Sequence, residues 1–394
     1  APERGQGAGG GAQMVTSREH HLPPAPCALR PTWADVDLGA FRRNLDATAR
    51  LLPERSRIIA VLKANAYGHG AVILARECNH DRVAMIGVAL LEEALELRAA
   101  GMALPLLVFG ALTREQIAAA AEERVIAGIV GPEELAYACD AARERDLAVH
   151  LKLDSGMGRM GITASELPRA IELIRSAPRL RIDAIYTHYA NASDPFDPFT
   201  ETQTETFQRM LVTLRDAGVE APLHHAANSA ATMRGLVAPG DYVRTGIVLY
   251  GAAPLDSGQG RLEPVLRWRT EIVRLKTLPP GHGIGYGTTF RTARESRIAT
   301  LPVGYADGYS RLLSNHGEVL VRGKRAPVVG RVSMDLVTID VTDIAGAALG
   351  DEVVLLGRQG DEEIAAEEHA ARTGTIAYDV LCRISARVPR VYSS

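Results

Sequence analysis

The stretch IIAVLKANAYGHG, residues 58–70, is an apolar, β-branched run that delivers a lysine into a polar, glycine-flanked loop. A lysine is almost never buried without a partner, so Lys63 must reach water, pair, or be used. For a lysine taken alone the surface is the ordinary outcome, and its surroundings have to decide. Seven further runs resemble the first: VAMIGVAL (83–90), LPLLVFG (104–110), VIAGIV (125–130), AVHLKLD (148–154), IDAIYTHYA (182–190), LHHAAN (223–228) and YVRTGI (242–247). Between several of them lie amphipathic stretches such as LEEALELRAAG, TREQIAAAAEER, PEELAYACDAARERD and TETFQRMLVTLRDAG. Short apolar runs alternating with helical stretches predict parallel strands joined by helical crossovers. Eight such units, with no GxGxxG after any strand, fit a closed (β/α)8 barrel better than an open dinucleotide-binding sheet. After about residue 264 the pattern changes to period-two runs, among them TEIVRLKTL, RIATLPVGYA, GEVLVRG, LVTIDV and DEVVLLG, broken by turn residues. The expected fold class is therefore α/β, an N-terminal TIM-type barrel over residues 31–263 followed by a mostly-β domain over 264–394. Residues 1–30, rich in Gly, Pro and Ala, read as a disordered arm, with Met14 a candidate start.

The 394 residues, 46% of them hydrophobic, are ample for two cores. A net charge of -3 without a long basic block gives no footprint for nucleic acid or an anionic membrane. The sequence holds neither a membrane-spanning apolar run nor a basic segment followed by an apolar one, so a cytoplasmic protein acting on a small molecule is expected. Cys27, Cys78, Cys139 and Cys382 are widely spaced and read as reduced thiols. The pairs His20-His21 and His224-His225 lack spaced carboxylate or thiolate partners; they read as tail or turn residues, and no metal is expected.

In such a barrel, polar residues at the strand C-termini are the functional candidates. Lys63 and Tyr67 follow the first strand, Arg159 the fifth, and His188 ends the sixth; Asn228 and Ser229 follow the seventh, while Arg244 and Gly246 close the eighth. Each has a plain alternative: a surface ion pair for Arg159, a core histidine for His188, a helix cap for Ser229. Their concentration on one rim favours a site. Ser229 and the RTGI backbone occupy the position where barrels commonly bind phosphate. An amine, a phosphate site and no nucleotide motif point to pyridoxal 5'-phosphate, whose aldehyde reacts with a lysine amine.

At this point the chain resembles the alanine racemases. AVLKANAYGHG (60–70) looks like their cofactor-lysine motif, and the resemblance continues through DSGMGRMG, HHAANSAA, VRTGIVLYG, GIGYGTTF, PVGYADGYSR, GRVSMDLVTID and AYDVLCRISARVPR. It implies a barrel with a C-terminal β domain in which the strand near 31–38 also packs. It further implies interconversion of L- and D-alanine, supplying D-alanine for peptidoglycan. Inverting Cα requires one acid-base group on each face. By resemblance Lys63 serves the D face, and Tyr286, from the other subunit of a homodimer, serves the L face, with Arg159 and His188 as the tyrosine's supporting neighbours. The resemblance puts Arg244 against the pyridine nitrogen. A guanidinium does not readily surrender a proton, so the cofactor becomes a weaker electron sink, which suits a dedicated racemase. It assigns Tyr67, Ser229, Gly246, Ile247 and Tyr378 to the phosphate, Met334 to the substrate carboxylate through its backbone, and Lys152 to a carbamylated residue that orients Arg159.

Asp379 stands where the family usually has glutamate, and Ser333 where some members have cysteine. The closest competing reading is a racemase of serine or of basic amino acids. A related barrel decarboxylase would lack Arg244 and the GYG tyrosine, and a non-catalytic pyridoxal-phosphate carrier would have no use for the long β domain.

Overall fold

The computed structural model describes residues 29–252 and 262–394. Most of the expected N-terminal arm, with Met14, His20, His21 and Cys27, lies outside the described residues. The chain begins with strand β1 (Thr32–Asp37) and the helix Leu38–Arg50, which Asp37 caps by accepting from the Ala40 amide at 2.8 Å. Eight parallel strands follow: β2 (Arg57–Val61), β3 (Val83–Val88), β4 (Leu106–Val108), β5 (Val125–Ile129), β6 (Leu147–Lys152), β7 (Leu180–Tyr186), β8 (Leu223–His225) and β9 (Tyr242–Thr245). They hydrogen-bond in the order β8-β7-β6-β5-β4-β3-β2-β9. The two edges meet through a parallel bridge between Asn228 and Arg244, where the Arg244 amide donates to the Ala227 carbonyl at 2.9 Å. The barrel is thus nearly closed, as the strand count predicts.

The strands form where residues can be buried on both faces. Ile58 through Val61 are buried in succession, and β3 and β5 carry the same pattern. The outer helices present one apolar stripe inward. In Arg114–Glu122 that stripe is Ile117 and Ala120, and the helix starts on a capping box in which Thr113 and Gln116 exchange hydrogen bonds of 3.0 and 3.3 Å. Strands β4 and β8 are only three residues each, shorter than the apolar runs that announce them. His224 and His225 are not in a tail or turn but are the last two residues of β8, and the period-two pleat turns His225 into the barrel, fully buried.

Strand β10 (Leu266–Glu271) opens the second domain. Its main sheet runs Lys324–Pro327, Glu318–Val321, Glu352–Gln359, β10, β1, Arg390–Ser393, with β1 antiparallel to β10 and parallel to the last strand. Thr32 and Thr270 fasten that junction with a 2.8 Å hydroxyl contact. A separate core around Trp268, Leu320 and Val354 fills this domain. Cys78, Cys139 and Cys382 are free thiols. Among the described residues no helix is long and apolar enough to cross a membrane.

Candidate active site

Lys63 stands just beyond β2, at the mouth of the barrel. The four residues after it, Ala64, Asn65, Ala66 and Tyr67, all lie in the left-handed region, with φ between 52° and 53°. None is glycine, so each costs about 1–2 kcal/mol over a right-handed turn. The turn persists because side chains from elsewhere take up its polar groups. The Ala64 amide donates to Glu93 Oε1 at 2.6 Å, and Asn65 Oδ1 accepts from Ala71 at 2.8 Å. Arg390 donates to the Gly68 carbonyl at 2.8 Å. His69 Nδ1 lies 3.0 Å from the carbonyls of both Ala66 and Tyr67, so that nitrogen carries the proton. Burial pushes His69 down to about 4, which keeps the ring neutral.

Lys63 opens into a cavity of about 560 Å³ whose walls include Tyr67, Lys152, Arg159, His188, Asn228, Ser229, Arg244, Gly246 and Tyr378. Four side chains here, Lys63, Lys152, Arg159 and Arg244, are cationic by nature, and the two arginines depress the two lysines. Loss of water around Lys63 lowers its amine, and Arg159 and Arg244 lower it further. Lys152, at the end of β6, is pushed down to about 8 by burial and then by Arg159 and Arg244. Burial and the same cations hold His188 well below the ordinary imidazole range, hence neutral. The cavity is therefore built for an anion: a phosphate, a carboxylate, or both.

Arg244 is buried beneath this cavity. Its Nη1 donates to the His225 carbonyl at 2.5 Å and to His225 Nδ1 at 2.7 Å; Nη2 donates to the carbonyls of Thr187 at 2.6 Å and Ala226 at 2.9 Å, and to His188 Nδ1 at 3.1 Å. Because arginine only donates, both histidines must accept at Nδ1 and carry their protons on Nε2. His225 Nε2 then donates to His150 Nδ1 at 3.0 Å. Tyr186 stacks on His225 at 4.5 Å, with Arg244 over its outer region at 5.4 Å. Burial lowers Arg244 to about 10, still cationic at neutral pH.

Beside it lie two turns fastened by side-chain oxygens. Asn228 caps the short helix Ser229–Met233 by accepting from Ala231 at 3.0 Å, and Ser229 Oγ accepts from the Gly246 amide at 2.9 Å. The cap of this helix is therefore Asn228, and the helix-cap alternative for Ser229 falls away. Gly246 admits no side chain, since a Cβ there would stand 2.3 Å from the Tyr67 hydroxyl. Ile247, buried, begins the helical turn that follows. Among the described residues no group of three His, Cys, Asp or Glu side chains is arranged to hold a metal.

Two expected site residues are elsewhere. Tyr286 and Met334 sit on the surface of the β domain, 74% and 53% exposed, and do not line this cavity. Three residues that sequence reasoning passed over take part. His225 and His150 form the floor under Arg244, and Glu93 ties down the loop after Lys63. The alternation within LHH was the available sign for His225; Glu93 stood in a helix with nothing to distinguish it from Glu92.

The model of the alanine racemase N-terminal domain matches residues 36–254, and that of the C-terminal domain matches residues 265–392. The chain belongs to the alanine racemase family. Alanine racemases of Halothermothrix orenii and Symbiobacterium thermophilum are 42% and 43% identical to it, over 93% and 92% of this chain and 97% of each relative. A crystal structure of alanine racemase from Bacillus anthracis with bound L-Ala-P superposes with a TM-score of 0.86 at 39% identity, covering 93% of this chain and 95% of that one. The alanine racemase from a D-cycloserine-producing Streptomyces lavendulae gives 0.87 at 34% identity, covering 93% and 97%. Alanine racemases are pyridoxal-phosphate-dependent isomerases. The cavity fits that cofactor: Lys63 opens into it, its walls are cationic, and Arg244 Nε has no partner among the described residues.

Proposed function

We propose that the chain interconverts L- and D-alanine at this cavity, with Lys63 as the residue that carries pyridoxal phosphate. The observation that carries the proposal is the shared cavity itself, where the Lys63 amine, the buried Arg244 and the turns at Ser229 and Gly246 converge. Ser229, Asn228, Tyr67, Gly246, Ile247 and Tyr378 would hold the phosphate, and Arg244 would meet the pyridine nitrogen. When bound, the cofactor supplies an electron sink that lets the Cα proton leave.

The chain's own groups move that proton. Lys63, with its amine already lowered by its neighbours, takes or returns it on the D face. Tyr286 of a second copy does so on the L face. The exposure of Tyr286, with Met334, Leu336 and Ile376 also exposed, supports a homodimer in which one copy's β domain covers the other's barrel mouth. His188, neutral and fixed as an Nε2–H donor by Arg244, stabilises the tyrosine's anionic form with Arg159. The Met334 backbone of the second copy and Arg159 receive the alanine carboxylate. Lys152, at about 8, has an accessible neutral amine able to take up carbon dioxide as a carbamate that orients Arg159. The D-alanine produced would serve peptidoglycan synthesis in the cytoplasm.

Borohydride reduction of the holoenzyme followed by peptide mapping tests the core of this reading. The pyridoxyl group is expected on Lys63, with L- and D-alanine interconverted faster than serine, lysine or arginine. A label on any other lysine would overturn the assignment.

A further inference from the structure

We propose that Glu93 is a positioning residue for Lys63, its carboxylate fixing the lysine by holding the amide that directly follows it. The inference rests on Lys63 being the cofactor lysine.

Glu93 belongs to the helix Leu91–Ala99, one βα unit further along the barrel, and its two oxygens do different jobs. Oε2 accepts from the amides of Ala89 at 2.8 Å and Leu90 at 3.1 Å, which is what a third-position glutamate does at any helix start. Oε1 leaves its own helix and accepts from Ala64 at 2.6 Å. Nothing in the helix needs that second bond. Ala64 opens the run of left-handed residues, so its amide points where no right-handed turn would send it, and within the turn it has no carbonyl to meet. The bond therefore ties the backbone on the C-terminal side of Lys63 to the loop after β3. On the N-terminal side the lysine is fixed by the Leu62 amide, which donates to the Gly87 carbonyl at 2.9 Å. Lys63 is held on both flanks to the same neighbouring strand-and-loop unit, while its side chain stays free to reach the cavity. The carboxylate also lies close enough to oppose the cations that lower the amine.

Glutamine separates the two jobs. It is a competent capping-box residue, so Glu93→Gln leaves the helix start satisfied. It has one acceptor oxygen, however, and its amide nitrogen would face a backbone N–H at the other bond. At the helix start that oxygen serves two amides against one at Ala64, so the variant keeps the cap and loses the Ala64 bond.

The test uses the full-length holoenzyme and compares the unaltered protein with Glu93→Gln and, as control, Glu96→Gln, which alters an exposed carboxylate on the same helix. In Glu93→Gln, kcat is expected to fall ~10–100-fold, with KM changed less than about twofold and deuterium exchange at Cα of D-alanine slowed in step, because a displacement on the order of 1 Å is enough for such a loss. Backbone hydrogen exchange should speed up in the peptide 62–70 while the peptide covering 91–99 is unchanged. Glu96→Gln should match the unaltered protein throughout. Unchanged kcat and unchanged exchange at 62–70 in Glu93→Gln would overturn the proposal, as would an equal effect from Glu96→Gln. If Glu93→Gln does not fold, the Ala64 amide of the unaltered holoenzyme decides: strong protection supports the clamp, and exchange at an open-loop rate refutes it. Mapping of the borohydride label keeps the two readings apart. A label away from Lys63 removes the premise, whereas a label on Lys63 with no response to Glu93→Gln removes only the clamp.

Discussion

Arg244 holds His225 twice over, with Nη1 2.7 Å from the imidazole Nδ1 and 2.5 Å from the same residue's carbonyl. One side chain thereby sets the position of a ring and the place of its proton. Replacing Arg244 by leucine would leave the carbonyls of Thr187, His225 and Ala226 without these donors in a buried site. An expected loss of ~3–5 kcal/mol in urea-unfolding free energy follows from such orphaned groups. A loss below about 1 kcal/mol would show that the network does not stabilise the barrel. Arg244→Lys should fall between the two, since an ammonium has three donors and no planar fork.

Acid should weaken the fold well before the carboxylates titrate. His69, His150 and His369 are pushed down to about 4 by burial, and burial with nearby Arg244 holds His188 and His225 well below the ordinary imidazole value. The folded pKa is below the unfolded one, so the unfolded chain takes up protons first as the pH drops. The stability is whole above about 6.5 and declines between there and about 4, each histidine contributing a slope near 1.4 kcal/mol per pH unit. Urea titrations at pH 7.5 and 5.5 should differ by several kcal/mol. Equal values at the two pH settings would contradict neutral burial of these rings.

Gly246→Ala places a methyl 2.3 Å from the Tyr67 hydroxyl and 3.0 Å from its ring carbon. The expected cost is ~1–3 kcal/mol of stability, together with weaker retention of pyridoxal phosphate on dialysis. Adding Tyr67→Phe removes the nearer atom, so the double variant should recover at least ~0.5 kcal/mol relative to the sum of the single changes. Strict additivity would mean that Tyr67 moves aside freely.

The proposal that a second copy completes the site predicts complementation. Lys63→Ala and Tyr286→Phe should each be nearly inactive, and mixed dimers should regain activity, because one of their two sites then has both groups intact. Recovery per mixed dimer should approach half that of the unaltered dimer. Before equilibrium, Tyr286→Phe should impair proton removal from L-alanine while Cα exchange of D-alanine continues. Mixed dimers that form but stay inactive would argue that both groups act within one chain.

The barrel was legible because each strand needs apolar residues on both faces, and runs such as Ile58–Val61 have no other ready use. The rim was legible because Lys63, Arg159 and Arg244 follow or close barrel strands on one face, where they line a single cavity. His225 was misread because adjacent histidines look like a polar cluster, whereas the pleat sends His224 outward and His225 inward. The turn at Ala64–Tyr67 left no mark at all. Local preferences steer alanine and tyrosine away from positive φ, and what overrides them is contributed by Glu93, Arg390 and other partners distant in sequence.

Strand β1 is made early in synthesis, yet its two neighbours are β10 and the strand Arg390–Ser393. At the usual ~5–20 residues per second, the wait between Ala34 and its partner Arg390 is on the order of 20–70 s. During that interval a strand that ends up paired on both sides has both edges open, at the ribosome, where other nascent chains offer edges of their own. The barrel can close while β1 is still unpaired, because none of β2–β9 pairs with β1 or with the strands that flank it. Loss of the last few residues would therefore damage the protein at its other end, exposing β1 and inviting strand exchange between copies.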